Sequence, residues 1–186
     1  MLLLVGLGNP GPNYDNNRHN IGFKVIDAIN QQFSLSKQKP KFKGLLTTGN
    51  ILNKKVYAIK PLTFMNNSGI CIRELIEYFK IGVEDIIVFH DDLDIDFGKV
   101  KAKFGGSSAG HNGIASIDKF VGKDYSRVRI GIGKPDLKIS SSDYVLNNFS
   151  EEEKLELEKI TNNIIESLSI LIDKKLDLFS STVNNK

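Results

Sequence analysis

The sequence predicts a single three-layer α/β/α domain over residues 1–186, with a mixed, partly antiparallel central sheet. Three observations predict it. Short apolar runs alternate with segments of helical periodicity, as parallel strands and their crossover helices do. Two runs, 2–7 and 86–90, are apolar throughout and suit strands covered on both faces. Other runs, such as 99–104, alternate charged with apolar residues, as an edge strand does.

The elements follow in order. Leu2–Leu7 is a buried strand, and the Asn-Pro-Gly-Pro-Asn stretch within 9–17 is loop, because its prolines remove donors and restrict their neighbours. Ile21, Val25 and Ile29 recur at helical spacing, so a helix runs from about 20 to 33. Residues 34–43 read as a lysine-rich connection. Residues 45–52 and 56–60 form a hairpin about Asn53–Lys54. A helix over 68–80 takes Ser68 as its N-cap. A strand over 86–90, a strand over 99–104 and a small-residue loop at 105–110 follow. Next come a helix over about 111–121 and a strand near 127–132. One amphipathic helix spans 151–178, its inner stripe formed by Leu157, Ile160, Ile164, Leu168, Leu171 and Ile172. The last few residues read as frayed.

Bulk properties narrow the function. The apolar start lacks a basic n-region and a cleavage site, so it reads as a strand and not as a signal peptide or membrane span. A single cysteine, Cys71, rules out an intrachain disulfide and suits a reducing cytoplasm. One Cys and three His without CxxC or HExxH spacing argue against zinc. The net charge of +3 is modest but unevenly placed. Residues 28–73 hold seven Lys and one Arg with no acid, residues 99–138 carry a net +6, and residues 151–178 a net −4. Such a chain can offer one positive face to a polyanion.

Polar constellations stand where strands should stop, which is where an open α/β sheet gathers its site. They are Gly6–Gly11 (GLGNPG), His90–Asp94 (HDDLD) and Gly110–Gly113 (GHNG), with Arg18–Asn20 (RHN) close behind the first. The first matches GxGxxG, but prolines flank its third glycine and keep it out of a helix, which argues against a nucleotide cofactor. Its glycines turn the backbone and present Asn9. A carboxylate at the end of a buried strand is costly unless paired, and one paired to an imidazole fixes the tautomer of a general base. His19 beside the 90–94 cluster is therefore read as a base on water; Mg²⁺ ligation by the same acids is the competing use. No GxSxG elbow appears, which favours water as the nucleophile. Phe64, Met65, Asn66 and Asn112 stand at strand-to-helix junctions, where amides can donate to a carbonyl oxygen and the apolar pair can line a pocket or fill core. Alternation sets Lys99, Lys101 and Lys103 on one sheet face and Arg127 and Arg129 likewise, a basic strip suited to phosphate.

Taken together, GLGNPG at 6–11, RHNIGF at 18–23, PLTFMNNSG at 61–69, HDDLD at 90–94, GHNG at 110–113, RVRIGIG at 127–133 and YVL at 144–146 resemble the bacterial peptidyl-tRNA hydrolase family. The resemblance implies hydrolysis of the ester between a peptide and the terminal ribose of tRNA. In it His19 is the general base and Asp91 orients it. Asn9, Asn66 and Asn112 are substrate-positioning amides that also serve catalysis. Tyr14, Phe64, Met65 and His111 are substrate-binding, and Lys103 and Arg129 grip a tRNA phosphate. It also implies no metal, no cofactor, no obligate protein partner and a cytoplasmic monomer. A non-catalytic RNA-binding relative is the alternative. The resemblance also makes residues 140–150 a mobile covering loop, loose because of its serines. The chain departs from the family pattern at Asn17, at Pro61–Phe64 and in the Ser107–Ala109 stretch.

Overall fold

The computed structural model describes all residues, Met1–Lys186. Seven strands form one mixed sheet: β1 (Leu2–Gly6), β2 (Lys39–Lys41), β3 (Gly44–Ile51), β4 (Lys54–Pro61), β5 (Ile86–Asp92), β6 (Val100–Phe104) and β7 (Ser126–Gly131). Their order is β2-β3-β4-β1-β5-β7-β6. The four central strands are parallel, β3 and β6 run against them on either side, and β2 pairs antiparallel with β3 at one edge.

Helices cover both faces, as the apolar runs require. On one side lie α1 (Ile21–Gln32), α5 (Glu151–Glu166), α6 (Leu168–Ile172) and α7 (Leu176–Asn184), whose apolar residues pack with Leu2, Leu4, Ile87 and Phe89. On the other lie α2 (Ser68–Phe79) and α3 (Asn112–Val121), packed with Leu3, Val5, Ile86 and Val88. Strand residues alternate between the two cores along β1 and β5, the period-2 rule applied to a sheet buried on both sides. A short helix, α4 (Ser141–Val145), stands apart beside the strand ends. No helix is long and apolar enough to cross a membrane.

Several boundaries differ from the sequence expectation. The β3–β4 turn is Leu52–Asn53, one residue earlier than expected, with φ of 49° and 64° at its two residues, the pair of positive values a type I′ hairpin needs. A second such turn, Phe42–Lys43 (φ 52° and 56°), joins β3 to β2 where only a connection was expected. Neither residue is a turn former. Phe42 is held there by packing on Tyr78 and Phe79 of α2, with ring centroids 5.2 and 5.6 Å apart. Ser68 begins α2 instead of capping it, and its hydroxyl donates to the Met65 carbonyl at 2.9 Å.

The single helix expected over 151–178 is three. Ser167 ends α5, and Lys174 at φ 61° turns the chain into α7, which runs to Asn184 through residues read as frayed. Tertiary packing decides this. Phe179 and Val183 are buried, each worth about 1.5–3 kcal/mol. The α7 side chains also occupy the open edge of the sheet: Ser180 and Asn184 accept from the Ala102 and Val100 amides, and Asn184 donates back to the Val100 carbonyl. The expected inner stripe from Leu157 to Ile172 is buried throughout. The 140–150 stretch, expected as loop, carries α4, and Ser150 forms a capping box with Glu153 at the start of α5.

One close approach positions the site. A Cβ on Gly22 would lie 2.4 Å from both the Leu7 amide nitrogen and the Phe89 carbonyl oxygen. Only glycine lets the first turn of α1 rest on the ends of β1 and β5. The residues just before it are thereby set over the end of β5.

Candidate active site

Loop 9–17 closes on itself through two buried asparagines. The Asn9 amide donates to the Asn20 side-chain oxygen, and the Asn20 side chain donates to the Asn9 carbonyl, both at 2.9 Å. This clamp fixes the 3₁₀ turn Arg18–Asn20 that carries His19. His19 Nδ1 then lies 2.9 and 3.0 Å from the two carboxylate oxygens of Asp91, at the end of β5. The expected pair is in contact across 72 residues of sequence. His19 is 9% exposed, and its ring meets the protein through Nδ1, not Nε2.

A second imidazole completes the cluster. His111 caps α3, its Nδ1 accepting from the Gly113 and Ile114 amides at 3.2 and 3.3 Å. A ring nitrogen that accepts carries no proton, so His111 bears its hydrogen on Nε2 and donates it to Asp91 Oδ1 at 2.9 Å. Asp91 thus receives two imidazole N–H groups while 2% exposed. Burial alone would push its carboxyl up, but His19 and His111 outweigh that and hold it well below the usual carboxylate range. With Asp91 ionised, His19 donates from Nδ1 and keeps its lone pair on Nε2.

His19, Asp91 and His111 offer three ligand atoms within 4.8 Å of one another. Donor accounting fits a hydrogen-bonded triad better than a metal site. Both imidazoles use a proton on Asp91, and the remaining His111 nitrogen serves the α3 amides, so no His111 lone pair is free to ligate.

Of the acidic run at 91–94, only Asp91 meets the histidines. Asp92 accepts from Arg129 Nε at 2.7 Å and from the Asp94 amide at 2.8 Å, and Asp94 faces Lys134 at 3.5 Å. His90 is buried beneath His111, donating from Nδ1 to the Asp91 carbonyl at 2.7 Å. Burial, then the neighbouring His111, keeps its imidazole well below the usual histidine range and therefore neutral.

The asparagines divide by burial. Asn9 is buried, and its side-chain oxygen accepts the Met65 amide at 2.8 Å, which leaves its amide nitrogen as the group to offer. Asn66 and Asn112 are exposed, on the turn before α2 and at the first position of α3, and of the three asparagines only Asn112 lines the cleft. Met65, expected as a pocket residue, is core at 4% exposure; Gly113 lacks a Cβ that would otherwise meet its sulfur at 2.4 Å. Phe64 is half out of the protein at φ 58° and ψ 163°, a backbone region other residues than glycine rarely enter. Tyr14 meets its ring edge-on, the centroids 6.2 Å apart. A cleft of about 770 Å³ opens from His19, Asp91 and His111 past Asn112 toward Leu137 and Ser142.

The basic strip is less uniform than alternation suggested. Strand pairing sets Lys101 opposite Arg129 and Lys103 opposite Arg127. Arg127 is buried and committed, donating to Asp118 and to the Ser107 carbonyl, each at 2.8 Å. Arg129 gives Nε to Asp92 and keeps its terminal nitrogens. With both nearby acids taken, Lys103 stands among arginines without a carboxylate of its own. Burial, then Arg129 and Arg127, draw its ammonium below the usual lysine range. Such a cation gains strongly from an incoming anion.

Two residues escaped the sequence reading. Asn20 holds the turn, and His111 was expected against substrate, not on Asp91. The only signal for either was membership of the RHN and GHNG motifs, since a spacing of 20 or 72 residues encodes no contact.

A base with a free Nε2, buttressed by a carboxylate and with the Asn112 amide along the same cleft, can draw a proton from water beside a carbonyl. Known proteins resemble this chain over nearly its whole length. The sequence pattern of the family described as peptidyl-tRNA hydrolase matches residues 3–186. A peptidyl-tRNA hydrolase of Pelagibacter ubique is 79% identical over the full length of both chains. That of Bacillus subtilis is 43% identical over 94% of this chain and 93% of its own. The crystal structure of peptidyl-tRNA hydrolase from Acinetobacter baumannii superposes with a TM-score of 0.92 at 32% identity, covering 99% of this chain and 94% of that one.

Proposed function

The chain belongs to the peptidyl-tRNA hydrolase family, and on that premise we propose that His19 is the base of the reaction it performs. The protein hydrolyses the ester of peptidyl-tRNA, releasing peptide and free tRNA. In the proposed sequence, water in the cleft gives a proton to His19 Nε2 as its oxygen attacks the ester carbonyl. The imidazolium formed is stabilised by Asp91 at 2.9 Å, and His111 keeps that carboxylate in place. Amide N–H groups of Asn9, Asn66 and Asn112 receive the oxyanion or hold the water. Collapse of the tetrahedral intermediate breaks the bond to the ribose oxygen, which takes the proton back from His19.

Around this centre, Tyr14 and Phe64 offer an exposed aromatic surface to the substrate, and Lys103 with the free end of Arg129 takes a tRNA phosphate. Met65 acts beneath, holding the turn that presents Phe64 and Asn66. The proposed setting is the cytoplasm, where a reduced, buried Cys71 is at home. The proposed working unit is the monomer, because the base, its carboxylate and the cleft all come from one chain.

One observation carries the reading: the two-oxygen contact of Asp91 with His19 Nδ1, which leaves Nε2 as the open nitrogen. The test is release of tRNA from an N-blocked aminoacyl-tRNA. His19→Ala should nearly abolish turnover and leave tRNA affinity within about twofold. Turnover within tenfold of the parent would sink the base assignment. Tight tRNA binding by the parent protein without any turnover would instead favour the RNA-holding alternative.

A further inference from the structure

Arg18, the neighbour of His19, points away from the catalytic triad and into the segment that walls the cleft. Its Nη2 donates to both carboxylate oxygens of Glu153 at 3.0 and 2.9 Å, and its Nη1 donates to the Asn148 carbonyl at 2.7 Å. The guanidinium lies over the Tyr144 ring at 4.5 Å and near the Phe149 ring at 5.4 Å. The backbone repeats the contact. The Arg18 amide donates to the Asn147 carbonyl at 3.0 Å, the Phe149 amide to the Asn16 carbonyl at 3.1 Å, and the Asn17 side chain to that of Asn148 at 2.8 Å. Glu153 meanwhile closes the capping box of α5, and Tyr144 donates its hydroxyl to the Ile132 carbonyl at 2.7 Å. Residues 139–142 and Val145, just before these contacts, form one side of the cleft opposite His19 and His111.

A guanidinium with one terminal nitrogen on a carboxylate, the other on a carbonyl and its plane against an aromatic face is held more tightly than a solvated surface pair. Only 11% of its side chain is exposed. This expense falls on a residue with no contact to the reacting atoms. We infer that Arg18 is a positioning residue: it pins the cleft wall at 139–149 at a fixed distance from the catalytic turn, and so sets substrate affinity. The inference rests on the hydrolytic reading of this site. Because the Asn9–Asn20 clamp and Asp91 hold His19 independently, loss of the Arg18 side chain leaves the base in register and loosens the wall alone.

The discriminating variants are Arg18→Lys and Arg18→Met, with Ser150→Ala as control. Lysine keeps the charge but loses the fork and the stacked plane. Ser150→Ala removes the α5 cap and leaves the Arg18–Glu153 pair. On N-blocked aminoacyl-tRNA, both Arg18 variants should raise KM about tenfold with kcat within twofold. Amide hydrogen exchange over 141–149 should quicken in both and stay unchanged in His19→Ala. The control should lose stability without a change in KM. The inference is overturned if the Arg18 variants keep the parental KM, or if kcat falls while KM holds, since Arg18 would then act on His19 itself. A dead His19→Ala with parental KM in the Arg18 variants would leave the hydrolytic reading intact and remove this one.

Discussion

Asp91→Asn tests the electrostatic core of the site. The carboxylate lies 2.9 and 3.0 Å from His19 Nδ1 and is 2% exposed, so solvent screens it little. Opposite unit charges at roughly 4 Å interact by about 4 kcal/mol at the effective dielectric suited to such sites. That attraction exists only once His19 has taken its proton, so its loss falls on the transition state and corresponds to about three decades in rate. Donor geometry adds to this. Asp91 now accepts from both imidazoles, and an amide has only one oxygen to offer. Its NH2 must turn to one ring. Because the α3 amides fix His111 as a donor, that ring is His19, whose Nδ1 then accepts and whose proton moves to Nε2, where the lone pair is needed. Single-turnover release of tRNA from a blocked aminoacyl-tRNA at pH 7.5 measures the outcome. A fall in kcat of about 10³ with KM within about threefold is expected. A variant within tenfold of the parent rate would show that Asp91 neither charges nor orients the base, and the derivation above would be wrong.

Three further outcomes follow from the same geometry. His111→Ala and His111→Asn should each lower kcat about tenfold by freeing Asp91, yet only Ala should also cost about 1 kcal/mol of stability, because Asn keeps a cap for α3; equal melting temperatures would contradict the capping role. Lys103→Ala should raise KM and reduce the salt dependence of log KM by roughly the 0.7–0.9 expected for one phosphate contact. Adding Arg129→Ala strands Asp92 and should destabilise by about 1–3 kcal/mol as well; an unchanged salt slope would place the phosphate elsewhere. Cys71, on the buried face of α2, has its thiol pushed up to about 12 by burial and by Glu74 against the opposing pull of Lys43, and should resist a thiol reagent at pH 8 until the protein unfolds. Rapid native labelling would contradict that burial.

By itself the sequence determined the layered α/β class, because apolar runs and helical periodicity are local properties. They read as strands 2–7 and 86–90 and as helices from about 20 and from 68, with boundaries close to those observed. It also set His19 beside the acidic cluster at 90–94, and the family resemblance carried by the motifs together singled out Asp91. Where local chemistry and packing disagreed, reading along the chain failed. Phe42–Lys43 makes a turn its own propensity opposes, because Phe42 is held against Tyr78 and Phe79. The last helix exists because Phe179 and Val183 need burial and the β6 edge needs partners. Only the tertiary structure decided that Arg127 is walled into an ion pair while Lys103 is left unpaired, that His111 shares the carboxylate of Asp91, and that Arg18 ties residue 18 to residue 153. Those assignments depend on β1 lying beside β5 and on helices crossing the ends of both. A side chain's partner in such a sheet is set by strand order, which no single segment encodes.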